Sequence, residues 1–93
     1  MLKEIRRAIH ERRYRFRDHA IDELRKDGLT VDDALNALLT GEITAIFDND
    51  DLQRGQRYEV IGEDLEGYEL GVLCRFTAHG DLLLIITAYA DIY

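Results

Sequence analysis

The chain has 93 residues, enough for one domain with a single hydrophobic core, and 46% of them are hydrophobic, which excludes a disordered chain. Its net charge of −7 argues against non-specific binding to nucleic acids, because contacts from Lys and Arg to phosphates supply most of that affinity. The charge is uneven. Residues 1–27 hold nine Lys or Arg against six Asp or Glu, so the N-terminal segment is a local basic exception.

Two features bear on location. The sequence has no apolar run near the roughly 18 residues of a membrane span, and the charged Lys3 and Glu4 stand where a signal peptide would lead into its apolar core. The single cysteine, Cys74, has no internal disulfide partner and falls in an apolar strand pattern, which predicts a small buried core residue. We expect a cytoplasmic protein that does not enter a membrane, built as one domain over residues 1–93.

The first residues predict a helix and then a short strand. Residues 2–13 have a narrow apolar stripe and a basic remainder, typical of a helical extension at residues 1–13. We expect this helix to lie on the second face of a sheet. The alternation in Tyr14-Arg15-Phe16-Arg17 then predicts a short edge strand, with two aromatic rings on one side and two arginines on the other.

Two helical segments follow. Asp18 is a candidate N-cap for the first, and Gly28 is a candidate left-handed terminator. Thr30, with Asp33 three residues later, resembles a capping box at the start of the second, which Gly41 ends. The short turn between the segments predicts a helical hairpin that covers one face of the sheet.

After Gly41 the pattern is that of strands, with glycines at the turns and a loop predicted at Asn49–Asp51. The uncharged stretch Leu82–Tyr89 predicts a central strand, because both of its sides are apolar until Thr87. Four consecutive strands with short connections predict an antiparallel four-stranded meander. Helices gathered on one side of it make the fold class α+β.

Strand alternation divides the sheet residues between two faces. We expect Leu84 and Ile86 to face the helical hairpin and to pack on Leu24, Leu35 and Leu38. The second face would then carry a half apolar and half polar set, namely Arg57, Glu59, Leu73, Arg75, Leu83, Ile85, Thr87 and Tyr89. This face is a candidate binding surface, since a solvent face without a function would not carry that many aliphatic residues.

Three polar residues are candidates for chemistry. The imidazole of His19 can exchange a proton near neutral pH, the guanidinium of Arg75 matches phosphate oxygens, and Tyr89 could donate a hydrogen bond to a leaving oxygen. Each has an ordinary alternative that stays open. His19 could satisfy local backbone or tyrosine groups, Arg75 could pair with Glu59, and Tyr89 could be a half-buried strand residue. Since no His and Cys have metal-ligand spacing, we expect neither metal nor cofactor.

Four motifs resemble a known family: Phe16-x-x-His19-Ala20, Gly28-Leu29-Thr30-x-x-Asp33, Gly41-Glu42-Ile43 and Ile85-Ile86-Thr87-Ala88-Tyr89. Together they look like small bacterial domains of unknown function that are grouped with the RelE/ParE and BrnT toxins of toxin–antitoxin systems. The resemblance runs from about Tyr14 to Asp91. It implies a four-stranded antiparallel sheet with two helices on one face, ribonuclease-like relatives, and an antitoxin that covers part of the toxin surface.

The first hypothesis of function is a metal-independent, toxin-like ribonuclease. His19 would act as general acid or base, Arg75 would bind the phosphate, and Tyr89 would orient the reacting groups. The remaining arginines assigned to RNA binding are Arg15, Arg17 and Arg57.

The second hypothesis is a catalytically inactive module of the same fold. It would bind a protein partner, such as an antitoxin, or a second copy of itself through the second sheet face. Similar sequences commonly have arginines where this chain has Glu23 and Asp27. Because carboxylates at these positions repel RNA, they favour the second hypothesis.

Overall fold

The computed structural model describes residues 1–48 and 55–90, which fold into three helices and a five-stranded sheet. The elements in chain order are α1 (Leu2–His10), β1 (Tyr14–Phe16), α2 (Asp18–Lys26), α3 (Val31–Thr40), β2 (Glu42–Phe47), β3 (Arg57–Glu63), β4 (Glu69–Phe76) and β5 (Leu83–Tyr89). The predicted α+β class is confirmed. The loop predicted at Asn49–Asp51 lies outside the described residues, as does Asp91. Among the residues described, no helix is long and apolar enough to cross a membrane.

The sheet is mixed and has the strand order β1-β5-β4-β3-β2. Strands β2 to β5 form the predicted antiparallel meander, but β1 adds a fifth strand parallel to β5, so the predicted four-stranded antiparallel sheet is confirmed only in part. The amide of Leu83 donates to the carbonyl of Arg13 (3.0 Å), and the amide of Arg17 donates to the carbonyl of Ile85 (2.9 Å). These bonds make β1 an edge strand and β5 an inner strand, both as predicted.

The last strand contains a bulge. Ile85 pairs with Cys74, and Thr87 pairs with Leu73. Ile86 is therefore an extra residue of β5 that has no register partner on β4. An extra residue of this kind shifts the alternation of side chains between the two faces.

The bulge makes the facing of β5 differ from the prediction. Leu83 and Ile85 are completely buried on the helical side, whereas Leu84 and Ile86 are only partly buried. The expectation that Leu84 and Ile86 form the core, with Leu83 and Ile85 on the second face, was therefore wrong. The alternation of an entirely apolar stretch cannot locate a bulge, because every register looks equally favourable.

The two helices of the hairpin begin differently. At α3 the predicted capping box is present, since the Asp33 amide donates to Thr30 Oγ1 (3.4 Å) and the Thr30 amide donates to Asp33 Oδ2 (2.8 Å). At α2 the N-cap residue is Arg17 and not Asp18, and its side chain makes no capping hydrogen bond. Gly28 follows α2 with a φ of 71°, the left-handed conformation expected of a terminator.

All the helices of the described chain pack on one side of the sheet. α2 lies against β5, α3 lies against β3 and β4, and α1 contacts both α3 and β5. The buried residues of α1 are Ile5, Ala8 and Ile9. They belong to the same cluster as Leu38 of α3 and Leu83 of β5. The expectation that α1 covers the second face was wrong, because the turn at residues 11–13 folds α1 back over the helical side.

At one point α3 approaches β3 closely. A Cβ at Gly62 would overlap the carbonyl of Ala37, and one at Gly41 would overlap the carbonyl of Ile61. The Gly41 amide also donates to the Ala37 carbonyl (2.9 Å). These two glycines therefore set the distance between the helical layer and the sheet.

Candidate functional site

The side of the sheet opposite the helices has no element above it within residues 1–48 and 55–90, and we call it the open face. The strand register arranges its side chains in rows that cross the sheet. From one end of the strands to the other, the rows are Phe47, Arg57, Arg75, Leu84 and Arg15; then Ala45, Glu59, Leu73 and Thr87; then Glu42, Ile61, Gly71 and Tyr89; and last Glu63 and Glu69. Neighbouring rows are two residues apart along a strand, or about 7 Å.

One end of the open face is cationic. Arg57 and Arg75 stand beside each other on β3 and β4, one residue beyond the register pair Tyr58 and Cys74. Nη1 of Arg75 donates to the carbonyl of Phe76 at 3.3 Å. Two guanidinium groups therefore lie side by side at this end of the face.

Arg57 is held by an aromatic contact. Its guanidinium carbon lies 5.8 Å from the centre of the Phe47 ring, within the range of a cation–π interaction. Its Nε is buried and has no hydrogen-bond partner among the described residues. Arg15, at the far end of the same row, is exposed. With a strand spacing of about 4.8 Å, this arginine row spans about 19 Å from Phe47 to Arg15.

The opposite end of the open face is acidic. Glu63 and Glu69 are a register pair on β3 and β4, and both residues are exposed. Glu42 lies near them on β2, as the register partner of Ile61. The same two strands therefore carry an arginine pair at one end and a glutamate pair at the other, with the partly buried Ile61 and Leu73 between them.

Between the charged ends, Tyr89, Glu59 and Thr44 form a hydrogen-bonded chain. The Tyr89 hydroxyl donates to Oε2 of Glu59, and Oγ1 of Thr44 donates to Oε1 at 2.6 Å. The bonds from Thr44 and Tyr89 hold the pKa of Glu59 below its ordinary value. Burial, and then the bond to Glu59, raise the pKa of Tyr89. At neutral pH Glu59 is therefore ionised, and Tyr89 is a protonated donor committed to it.

Gly71 makes room for this chain. The Tyr89 ring crosses over Gly71, its register partner on β4, to reach Glu59 on β3. A Cβ at Gly71 would overlap the ring carbons of Tyr89. Glycine inside a strand is typical of such a close approach.

The structure brings only some of the predicted site residues together. Arg15, Arg57, Arg75 and Tyr89 all lie on the open face. Tyr89 and Arg75 are not neighbours, because Tyr89 pairs with Gly71, which is four residues, or about 13 Å, from Arg75 along β4.

His19 lies on the helical side of the sheet, in the first turn of α2. Its side chain is 66% exposed, and its Nε2 is 2.5 Å from Oε1 of Glu23. Arg17 is the exposed N-cap residue of the same helix. The proposed catalytic roles of His19, Arg75 and Tyr89 stay predictions, as do the RNA contacts assigned to the arginines.

Neither the cysteine nor the carboxylates near the β3–β4 turn form a second site. Cys74 is completely buried, and burial raises the pKa of its thiol to about 12, so the thiol stays protonated. A cavity of about 330 Å³ lies beside the turn, but the carboxylates of Asp33 and Asp64 in its wall already accept backbone N–H groups. In the part of the chain that the structure describes, no group of three or more His, Cys, Asp or Glu could hold a metal ion.

Sequence reasoning placed Glu59 on the second face but missed its bond to Tyr89, and it did not single out Gly71 or the Glu63–Glu69 pair. The available signal was a glycine inside an apolar strand pattern, which marks a close approach of another group. The identity of that group depends on the strand register, which the sequence does not determine.

These features define a small α+β domain with a helical layer on one side and a charged sheet face on the other. Residues 16–90 match a family described as a domain of unknown function (DUF4258), and the chain belongs to that family. No curated protein and no solved structure matches the chain. The match confirms the resemblance to small domains of unknown function, while the grouping with toxins stays a prediction.

Proposed function

We propose that this protein is a protein-interaction module that binds its partner through the open face. The observation that carries the proposal is the placement of the helices on one side, which leaves the other face uncovered by the described chain. A sheet face that remains in water normally carries polar residues. Here Ile61, Leu73 and Leu84 occupy it, between and beside the charged ends.

A protein fits the open face better than a nucleic acid does. The arginines occupy one end only, while Glu59 lies in the centre and Glu63 and Glu69 lie at the far end. A polyanion laid along the strands would meet these carboxylates. A protein surface can offer both signs of charge together with apolar groups, which is what this face requires.

We also propose that this domain is related to a superfamily of toxins. The β2–β5 meander and the α2–α3 hairpin on one side support a relation to the RelE/ParE and BrnT toxins, although β1 and α1 lie outside the arrangement that the resemblance implies. We infer a cytoplasmic module of that superfamily, with an antitoxin-like chain or a second copy on the open face. Loss of the ancestral nuclease chemistry is supported by Glu23, which stands where similar sequences commonly have an arginine and pairs with His19.

A photo-cross-linker on the open face tests the proposal. Benzoylphenylalanine is introduced at Thr87, in the centre of the open face, and in a matched variant at Asp22, an exposed residue of α2. Irradiation of cells that make the Thr87 variant is expected to give a discrete protein–protein adduct, identified by mass spectrometry. A Leu73→Lys change beside Thr87 should abolish it. The proposal fails if no adduct forms, if Asp22 gives the same adduct, or if the adduct survives Leu73→Lys.

A metal-independent ribonuclease is the second candidate, because the arginine row and Tyr89 share one face. In this mechanism Tyr89 would give up its hydrogen bond to Glu59 and donate to the leaving oxygen instead. His19, the expected acid or base, lies on the helical side of the sheet and would have to act from there. Purified protein should then cleave labelled RNA in EDTA, lose that activity on His19→Ala or Arg75→Ala, and bind RNA in a salt-dependent way. An equal lack of cleavage by wild type and both variants, without RNA binding at low salt, would remove this candidate.

A further inference from the structure

We propose that this chain dimerises through the edge of its sheet, with β2 of one copy paired antiparallel to β2 of a second copy. Among the described residues β2 is an edge strand, because it has β3 on one side and no strand on the other. This edge is a different surface from the open face. The inference therefore goes beyond the proposed function and does not depend on it.

The two edges of the sheet differ in how well they are protected. β1 has only three residues, and the exposed Arg15 and Arg17 stand within it and beside it. Short length and charge are ordinary means of keeping an edge from pairing with another chain. β2 has six residues without Lys, Arg or Pro, and its Ile46 and Phe47 are 55% and 42% exposed. β2 is therefore the edge that is open to another strand.

Hydrogen bonds at the end of β3 give the direction of its backbone groups. In an antiparallel sheet, alternate residues of an inner strand bond to opposite neighbours. The amide of Asp64 donates to the carbonyl of Tyr68, which leads into β4 (2.8 Å). The amide of Glu63 points the other way and donates to Oγ1 of Thr40, just before β2 (3.0 Å). Counting back along β3, the even-numbered residues therefore bond to β4 and the odd-numbered residues to β2.

The same alternation turns two residues of β2 outward. Ile43 and Ile46 are the register partners of Val60 and Tyr58, which are even-numbered residues of β3 and bond to β4. The N–H and C=O groups of Ile43 and Ile46 therefore point away from β3, toward the side where no strand of the described chain lies. Backbone groups in this position are those that recruit a further strand.

A bulge in β2 favours a second copy over an ordinary strand. Thr44 is an extra residue between Ile43 and Ala45, which pair with consecutive residues of β3. A regular strand has no matching irregularity, and bulges protect sheet edges for that reason. A second copy has the same bulge, and antiparallel pairing places Thr44 of each copy opposite Ala45 of the other. The two bulges then lie side by side, and the pairing continues beyond them in both directions.

The bulge also makes the order of side chains along β2 symmetrical. From Glu42 to Phe47 the residues face the open, helical, open, open, helical and open sides in turn. This order is the same when it is read backward. A two-fold axis through the bulge, perpendicular to the sheet, therefore keeps every residue on its own side of the joined sheet. It sets Ile43 opposite Ile46 of the second copy, and Glu42 opposite Phe47 of the second copy.

The contacts across this joint suit a stable pairing. On the helical side the isoleucines of the two copies meet, and the exposed Ile46 loses contact with water. Glu42 is the one charged residue of β2, and it lies opposite an aromatic ring and not opposite another carboxylate. Pairing β2 with β1 of another copy fits less well, because β1 is short and such head-to-tail contacts continue into fibres.

The dimer has a consequence for the open face. The five strands of each copy join into one sheet of ten, with the helices of both copies on one side. Both open faces then lie side by side on the other side. A partner that also has two binding sites would gain affinity from the second contact without any new type of contact.

Two cysteine variants test the register. In the proposed pairing Glu42→Cys in one copy is directly opposite Phe47→Cys in the other, at a Cα separation of about 4.5 Å that permits a disulfide. An oxidised mixture of the two variants is expected to give a disulfide-linked dimer. Each variant alone should not, because like positions lie about five residues, or about 16 Å, apart. The native Cys74 does not compete, since it is completely buried and its thiol stays protonated.

A mixture of Glu42→Cys with Ile46→Cys is the control for this measurement. The two thiols are then on opposite sides of the joined sheet, because Ile46 faces the helical side. This mixture should not cross-link.

Sedimentation equilibrium measures the association itself. We expect wild type to form a dimer of the 10.8 kDa chain. Ile46→Lys should raise the dissociation constant about tenfold or more, because a lysine on an edge strand opposes pairing with another chain. The matched control is Val31→Lys, the same kind of change at a residue of α3 that is 40% exposed. It should leave the dimer unchanged, and circular dichroism establishes that each variant is folded.

Three results would overturn the inference: a wild type that remains at 10.8 kDa at every concentration, cysteine variants that do not cross-link on mixing, or equal dissociation constants for Ile46→Lys and Val31→Lys. The proposed function is tested separately, because Thr87 lies on β5, three strands away from β2. If Thr87 gives no adduct while the β2 dimer forms, the open face loses its proposed role and the dimer stands.

Discussion

The two faces of this sheet differ in burial and polarity, although the same strands form both. On the helical side, Val60, Val72 and Ile85 are completely buried among apolar neighbours. On the open face, the next residues along these strands include Glu59 and Leu73, which are only partly buried. The comparison separates two tasks, since the helical side accounts for the stability of the domain and the open face is the surface that we propose binds a partner.

Buried polar groups occur on both sides of the sheet. On the helical side, Asp33 is 8% exposed, and its oxygens accept from the amides of Thr30 (2.8 Å) and Leu65 (3.0 Å). On the open face, the buried Nε of Arg57 has no hydrogen-bond partner within the described part of the chain. Nε of Arg6 in α1, on the helical side, is buried without a hydrogen-bond partner among the described residues in the same way, so each side of the sheet carries one such unsatisfied nitrogen at a cost in stability.

The largest effect is expected from truncating the helical side of β5. Ile85→Ala should lower the free energy of unfolding by about 2–5 kcal/mol, because it opens a cavity at a completely buried position. The neighbouring Leu84 lies on the open face and is partly buried, so Leu84→Ala should cost less than about 1.5 kcal/mol. Urea denaturation of the two variants measures the difference. Equal losses would mean that β5 does not have two distinct faces.

A pair of glycines gives the next largest difference. Gly62→Ala should lower the free energy of unfolding by about 1–3 kcal/mol, because the added Cβ meets the backbone carbonyl of Ala37. Gly71→Ala meets the ring of Tyr89, a side chain that can rotate away, and should cost less while breaking the bond to Glu59. Thermal denaturation compares the two. The interpretation fails if Gly71→Ala proves the more damaging.

Acid titration examines the buried polar group of the helical side. The amides of Leu65 and Thr30 hold the pKa of Asp33 below its ordinary value of 3.8. A carboxyl group whose pKa is lowered by folding adds stability above its ordinary pKa, and this contribution disappears as the pH falls through the lowered value. Asp33→Ala should therefore cost about 1–2 kcal/mol above roughly pH 4 and progressively less below it. Unfolding curves at several pH values measure this, and a cost independent of pH would contradict it.

The smallest effect is expected in the centre of the open face. Tyr89→Phe removes one donor from Glu59 but leaves the bond from Thr44, so it should cost about 0.5–1.5 kcal/mol. Folding raises the pKa of Tyr89 above its ordinary value of 10.0, so its contribution is present below that pH and is lost as the pH rises through the raised value. Alkaline titration followed by ultraviolet absorbance should show that the variant lacks a late-ionising tyrosine. If the variant and wild type gave the same titration curve, the late-ionising tyrosine would not be Tyr89.

The hairpin of α2 and α3 could be predicted because its signals are local in the sequence, whereas the side of the sheet on which α1 lies was predicted wrongly. The capping box of Thr30 and Asp33 and the terminator Gly28 depend on neighbouring residues, and all three act as predicted. Two helix ends differ from the prediction: the N-cap of α2 is Arg17 and not the adjacent Asp18, and α1 ends at His10 and not at Arg13. The ends of a helix are the least precisely predicted part of it.

The sheet was harder to predict because its pairing is not local. β1 pairs in parallel with β5, and Tyr14 meets Leu83 far along the chain. The bulge at Ile86 falls in a run of aliphatic residues, where a shift of register leaves no mark in the pattern. The sequence therefore predicts where the strands lie along the chain. It does not predict the side of the sheet on which each residue of β5 lies.

The residues of the open face were predicted only in part, and their contacts were not predicted. Arg57, Arg75 and Tyr89 were assigned to the second face, and they lie on it. Which of them meet depends on register. The same register opposes Glu63 to Glu69, although nothing in the separate segments indicates that they are opposed.

The bulge at Ile86 is a position where β5 can lose a residue without a change of its two faces. Leu83 and Ile85 face the helices before the bulge, and Ala88 faces them after it, while Tyr89 reaches Glu59 on the other side. A strand without Ile86 would alternate regularly and leave each of these residues on the side where it lies now. A deletion or insertion of this one residue would therefore leave both surfaces of the sheet as they are, so that relatives of unequal length can keep the same open face.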